Sequence, residues 1–301
     1  CIEIFKESAF TSEDATCFQT IAQQVSLPLK SATLYQEIIE TNAKLEKLER
    51  LKSEFISIVS HELRTPLTSI KNSLDILMSG RCGEITSSAD KFLTMAMRNV
   101  QRLSGIINDL LDLSKIEAGK MDFHFAPTDI NTVINYVKTA LSEVAKTKGL
   151  NLITQEDKNI PEITADSRRL EQVLTNLVSN AIKFTPEGKT ITISSKLINA
   201  NDIKINDYFK DNIKNIQGDY VEVCVQDEGI GIEEKNLLHA FDKFAQIENS
   251  LSRKAGGTGL GLPIAKQLLD AHNGAIWCDS ELNKGSKFYF IIPVKKVVAN
   301  V

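Results

Sequence analysis

The sequence predicts an α + α/β protein: a helical hairpin that pairs with a second copy into a four-helix bundle, followed by an α/β sandwich. Three observations carry that prediction. From about Ser12 to Gly119, apolar residues recur at helical spacing in two long stretches separated by the turn "SGRCGE". After "MDFHFAPTD" the pattern changes to short alternating runs interleaved with helices. Glycines then gather at Gly256, Gly257, Gly259 and Gly261, just where a further helix begins. The 301 residues, 42% hydrophobic with a net charge of -4, allow two or three modest folded units and give a nucleic-acid partner no support.

The elements follow in order. "CIEIF" reads as the end of a strand, and a strongly helical stretch then runs to about Leu77, with Ser12 as its expected N-cap. Leu34, Ile38, Thr41, Leu45, Leu48, Phe55 and Val59 keep the four-and-three spacing of a coiled-coil seam, Lys52 being the one break, so two such helices should pair. A second helix from Thr86 to a stop at Gly119 carries Phe92, Met95, Val100, Leu103, Ile107, Leu110 and Leu113. Two antiparallel helices with one apolar stripe each bury both stripes only by dimerising. Beyond them "GLNLITQED", "ITAD", "KTITISSKL", "DYVEVCVQDEG", "AIWCDS" and "SKFYFIIPV" read as strands, and "SRRLEQVLTNLVSNAIKF" and "GLPIAKQLLDAH" as helices. The order is mixed, not a series of βαβ units. Residues 198–218, rich in Asn, Asp and Lys, read as a long mobile hairpin loop.

Several residue patterns point to chemistry. "FISIVSHELRTPLTSI" puts Ser57, His61, Thr65 and Thr68 on a face away from the apolar seam, with Pro66 unable to pair with the carbonyl of Glu62. Alone, His61 is an ordinary solvated residue. An interior proline costing roughly 3 kcal/mol argues for more: a reactive imidazole beside the Glu62 carboxylate, on a helix that kinks or loosens there. Further on, Asn176, Asn180 and Lys183 form a polar stripe opposite Leu170, Val173, Leu174, Leu177 and Ala181. Such amides can hold a magnesium ion that keeps its waters and phosphate oxygens. Asp227 closes a strand before "EGIGI", where Gly229 and Gly231 let the backbone approach a flat ligand and the carboxylate can accept from an exocyclic amine. "SRKAGGTGLGLPIAKQ" leads glycines into a helix start, a ready anion site, without a Walker A or Rossmann pattern.

Composition narrows the setting. No apolar run approaches the ~18 residues that span a bilayer, and the start does not resemble a signal peptide. The chain begins at Cys1, which leaves room for sensor or membrane parts upstream. Five scattered cysteines read as reduced thiols of a cytoplasmic, cytosol-like compartment, and four well-separated histidines argue against a zinc site.

In this order the motifs resemble a sensor histidine kinase of the two-component type, over Ser53 to Val294. "SHELRTPL" is similar to the H-box of that family, "NLVSNAIKF" to the N-box, "DEGIGI" to G1, "FDKF" to the F-box, "GGTGLGL" to G2 and "GSKF" to the closing glycine turn. The resemblance implies a dimerisation and histidine-phosphotransfer domain at 53–119 and a Bergerat-type ATP-binding domain at 127–297, the fold of gyrase and mismatch-repair ATPases. A coiled-coil signalling helix at 34–52 would precede them, and residues 1–33 resemble the C-terminal end of a GAF-type sensor domain. It further implies that ATP phosphorylates His61, that Glu62 orients and deprotonates it, and that the phosphoryl group passes to an aspartate on the receiver domain of a response regulator. Thr65 matches the position associated with phosphatase activity. Asn180 would be the Mg2+ ligand, with Asn176 and Lys183 near the phosphates. Asp227 would read the adenine amine and Gly229 and Gly231 line its pocket, while Gly257, Thr258, Gly259, Leu260 and Gly261 would form the lid and phosphate contacts. The expected assembly is a homodimer in which residues 120–129 act as a hinge. An ATPase of the same fold, or a degenerate scaffold or phosphatase, is the competing reading.

Overall fold

The structure is a computed structural model that describes residues 11–80, 83, 85–212, 216–245 and 258–294; the expected strand "CIEIF", Gly256 and Gly257 lie outside them. The chain divides into two compact units, Cys1–Ile56 and Ser57–Val301. Helix α1 (Ser12–Met78) supplies nearly all described residues of the first and enters the second. Its cap is Thr11, not the expected Ser12. The Thr11 hydroxyl accepts from the Asp14 amide at 3.3 Å, while the Asp14 carboxylate accepts from the Thr11 amide at 2.9 Å, a reciprocal capping box. The helix continues unbroken through Pro66. Beside it the Thr65 and Thr68 hydroxyls donate to the carbonyls of His61 (3.4 Å) and Arg64 (2.8 Å).

Helix α2 (Ser87–Glu117) starts on a Thr86 cap and gives way to Gly119 at φ +63, as its sequence predicts. Leu67 and Leu74 of α1 meet Val100, Ile107 and Leu111 of α2, and Arg64 donates to Asn108 at 2.9 Å across the pair. Much of the remaining apolar stripe is exposed: Phe55 and Ile70 on α1, Phe92 and Met95 on α2.

The α/β region is a two-layer structure. A five-stranded sheet runs in the order β2 (Asn151–Glu156), β4 (Thr190–Asn199), β5 (Asp219–Asp227), β7 (Gly285–Pro293), β6 (Ala275–Glu281). Only the β2–β4 pair is parallel. Helices α3 (Ile130–Thr147), α4 (Ser167–Phe184) and α5 (Gly261–Ala271) pack on it. The core is what the apolar spacing of α4 demands: Leu170, Val173, Leu174 and Leu177 are buried with Ile193, Val223 and Phe290 of the sheet.

Three features depart from the sequence expectations. Helix α3 had no place in them, although Ile130, Val133, Ile134, Val137 and Leu141 keep helical spacing and Asp129 caps it through the Asn131 amide at 2.9 Å. The 198–218 loop is a hairpin, with Asn199 opposite Asp219, but it is not bare loop: short 3-10 turns form at Ala200–Asp202 and Asp207–Asn212, and buried Phe209 packs edge-on against Phe241 at 5.7 Å. The segment after α2 is held as well. A small strand β1 (Ala126–Thr128) pairs antiparallel with β3 (Ile163–Ala165), just ahead of α4.

Candidate active site

His61 stands on α1 with its side chain 77% exposed, and its Nδ1 lies 3.8 Å from the Glu62 carboxylate. An i, i+1 pair on a helix does not share a face, so this is an approach through solvent-exposed rotamers that no packing locks. The arrangement gives the imidazole a carboxylate partner on one nitrogen and open solvent on the other.

Thr65 stays with His61 on α1, and eight of the other predicted residues line one cavity of about 360 Å³. Helix α4 supplies Asn176, Asn180 and Lys183, each about one turn from the next, so a single helix face lines one wall. Asp227, at the end of β5, and Gly231 line another part, and Thr258, Gly259 and Gly261 reach it from the start of α5. Leu260 does not line it: it is buried beneath, its amide donating to the Thr258 hydroxyl at 3.1 Å. Gly229 acts through its backbone, not as wall. Gly257 lies outside the described residues.

Asp227 is the most perturbed acid of the site. Burial pushes its carboxyl up to about 6, against the opposing pull of amides from Gly229 (2.8 Å) and Ser286 (3.3 Å). Both amides donate to Oδ1, so Oδ2 remains for a ligand donor. Gly231 is required by space as well as by its φ of +67: a Cβ there would stand 2.0 Å from the carbonyl oxygen of Glu281. Lys183 is held below the usual lysine range by burial, then by the positive charge of Arg102, and its ammonium lies 4.6 Å over the Phe184 ring. Behind it, the Lys148 ammonium donates to the carbonyls of Ile182 (2.5 Å) and Lys183 (2.7 Å), closing the last turn of α4. Asn176 is partly committed already, because its amide nitrogen donates to the Gly261 carbonyl at 3.0 Å and ties α4 to α5.

Sequence reasoning missed Asp109, which comes from α2 and lines the same cavity. Burial raises its carboxyl, and the Thr258 hydroxyl donates to it at 3.3 Å. Nothing in its local sequence marks it, since its partner lies 149 residues away. Near it Asp112 accepts from Gln172 (2.8 Å), and Glu117 pairs with Lys243.

Residues 51–119 match the family described as His Kinase A (phospho-acceptor) domain, and residues 165–296 match the Histidine kinase-, DNA gyrase B-, and HSP90-like ATPase family. The chain belongs to the histidine kinases. This kinase is 37% identical over 257 residues to the sensor histidine kinase GacS of Pseudomonas protegens, a match covering 84% of this chain and 26% of that protein. It is 34% identical over 255 residues to the sensor histidine kinase WalK of Bacillus subtilis, covering 83% and 38%. The kinase chain therefore spans between about a quarter and two fifths of the length of these curated relatives. Among solved structures it is similar to full-length ShkA in complex with AMPPNP, with 27% identity, a TM-score of 0.62, and 80% of this chain and 45% of that one covered. It is also similar to the histidine kinase ThkA in complex with the response regulator protein TrrA, at 26% identity and a TM-score of 0.51, over 80% and 61%. Among the described residues of the kinase, no helix is long and apolar enough to cross a membrane.

Proposed function

We propose that the chain transfers the γ-phosphoryl group of ATP to His61 and then to an aspartate on a response regulator, working in the cytoplasm as a homodimer. One observation carries the reading: Asn176, Asn180, Lys183, Asp227, Gly231 and Thr258, from three separate stretches, line one cavity. A rotamer change that closes the 3.8 Å gap would let Glu62 accept from Nδ1–H, leaving the Nε2 lone pair for the attack; the P–O bond to the leaving ADP breaks as the N–P bond forms, and the Nδ1 proton passes to Glu62. Asp227 would accept from the adenine amine and Lys183 would face the phosphates. A magnesium ion that retains waters and phosphate oxygens needs few protein ligands, and the Asn180 amide oxygen suits it; the ion would offset the phosphate charge. The receiver domain is supported by the similarity to the ThkA complex with TrrA. Thr65, one turn from His61, is assigned to dephosphorylation of that regulator.

The dimer rests on exposed apolar surface. Leu34, Ile38, Leu48, Phe55, Ile70, Phe92 and Met95 all face solvent in one chain. Burying ten such side chains at ~1.5 to 3 kcal/mol each outweighs an association cost of ~4 to 15 kcal/mol. The test of the activity is direct: with ATP and magnesium the protein gains an acid-labile, alkali-stable phosphoryl group, and His61→Gln loses it while keeping nucleotide affinity. Equal labelling of that variant would overturn the assignment.

A further inference from the structure

The segment between the hairpin and the ATP-binding region is not free along its length. Met121 is buried in the core of the α/β region. Phe123 and Phe125 stack on each other at 5.7 Å and both lie edge-on against the His272 ring, with centroids at 5.8 and 5.0 Å. The His124 amide donates to Asp166 Oδ2 at 2.8 Å, and the Thr128 hydroxyl donates to the Ala165 carbonyl at 3.1 Å. Asp166 is at the same time the N-cap of α4, its Oδ1 accepting from the Arg169 amide at 3.2 Å. Its own amide donates to His272 Nε2 at 3.0 Å, while His272 Nδ1 donates to the Leu268 carbonyl at 2.7 Å, which sets the tautomer. Burial holds His272 below the usual imidazole range, consistent with this neutral ring. Helix α5 is thus pinned to α4 at both of its ends, by His272 to Asp166 at the α4 N-cap and by Gly261 to Asn176 midway along α4.

We propose that Asp166 and His272 are positioning residues, a joint that locks residues 121–128 to the helix carrying Asn176, Asn180 and Lys183, so that the two halves of the kinase swing only about residues 118–120. Those three exposed residues lie between Glu117, which pairs with Lys243, and buried Met121, with Gly119 at φ +63. The expected hinge over 120–129 is therefore mostly a strap. Its consequence for the reaction is one of alignment: a rigid strap with a short joint restricts where the nucleotide can meet His61, and misplacement by an ångström costs on the order of 10²-fold in rate. This inference rests on the proposed phosphoryl transfer to His61.

The test uses the full chain with His272→Phe, which fills the ring volume but strands the Asp166 amide, and His272→Gln, which returns an acceptor near Nε2. His272→Phe should keep ATP affinity within about threefold yet lower the labelling rate at saturating ATP by about tenfold or more, and His272→Gln should recover most of that rate. Wild-type labelling by His272→Phe, or a parallel loss of affinity and rate in both variants, would overturn the joint. Amide hydrogen exchange reads it without any kinase activity. The His124 and Asp166 amides should exchange faster in His272→Phe while Val173 to Val178 stay protected; unchanged exchange at His124 rejects the strap. If wild type takes up no phosphate while this exchange pattern holds, the joint stands and the kinase reading fails.

Discussion

The two ends of this chain treat apolar residues in opposite ways. In α3, α4 and the sheet, Ile134, Leu170, Leu174 and Phe290 are completely buried, whereas in α1 and α2 Phe55, Ile70, Phe92 and Met95 stand in water. Composition does not explain the contrast, since both regions carry their apolar residues at regular spacing. Architecture does. A sheet with three helices on it closes its own core, while two helices offer each other only one narrow seam. The α/β half closes its core with Leu113 borrowed from α2, while the helical half leaves most of its apolar stripes exposed. The proposed chemistry divides along the same line, with the nucleotide cavity in the α/β half and the acceptor histidine on the helical one.

Cutting the chain at that line should have the largest effect. A fragment starting near Lys120 should be a monomer that binds ATP and takes up no phosphate, while one starting near Ser53 should remain a dimer by light scattering. A monomeric, fully active Ser53 fragment would break the comparison. Next, Phe290→Ala should destabilise the protein by about 3 to 5 kcal/mol in urea titrations, as a fully buried aromatic does, while Phe92→Ala should leave unfolding nearly unchanged and weaken the dimer instead. Equal losses in both would remove the contrast. Asn180→Ala is expected to reduce nucleotide affinity about tenfold, and only when magnesium is present. Calorimetry with and without the ion checks this.

The smallest effect concerns pH. Asp227 accepts from an amine more strongly when ionised, because the bond is then charge-assisted, and its carboxyl is pushed up to about 6. Nucleotide affinity should therefore hold above that pH and fall by about threefold to tenfold by pH 5. The stability linkage has the opposite sign. A carboxyl raised in the folded state favours folding below its ordinary value of 3.8, and that contribution is lost as pH rises through about 6. Asp227→Asn should thus be more stable than the parent at pH 8 while losing adenine binding; chemical denaturation at two pH values measures it.

How legible the molecule is in its sequence varies by element. Helix α4 runs over the residues its apolar and polar stripes define, and β5 ends at Asp227 as the alternation predicts. Both signals are local: one periodicity, one boundary. Helix α3 carried an equally good periodicity, but its polar opening, "DINTVINY", hides a plain Asp cap. The strap of residues 121–128 has no local signal, because Phe123 and Phe125 acquire meaning only against His272 and Asp166.

What the sequence by itself determined is the kind of protein: a helical hairpin with an apolar stripe on each helix, an α/β layer, a histidine beside an acid, and the ordered asparagine, aspartate and glycine motifs of a nucleotide site. Those follow from short-range rules of spacing, capping and turn chemistry, which act over a few residues. Only the tertiary structure decided that Asp109 of α2 enters the nucleotide cavity, that Asn176 is tied to Gly261, and that one carboxylate, Asp166, both caps α4 and holds the linker. Apart from the local cap of α4, those contacts join residues 42 to 149 apart, where no periodicity operates and only the packing of a closed core brings side chains within a hydrogen bond of one another.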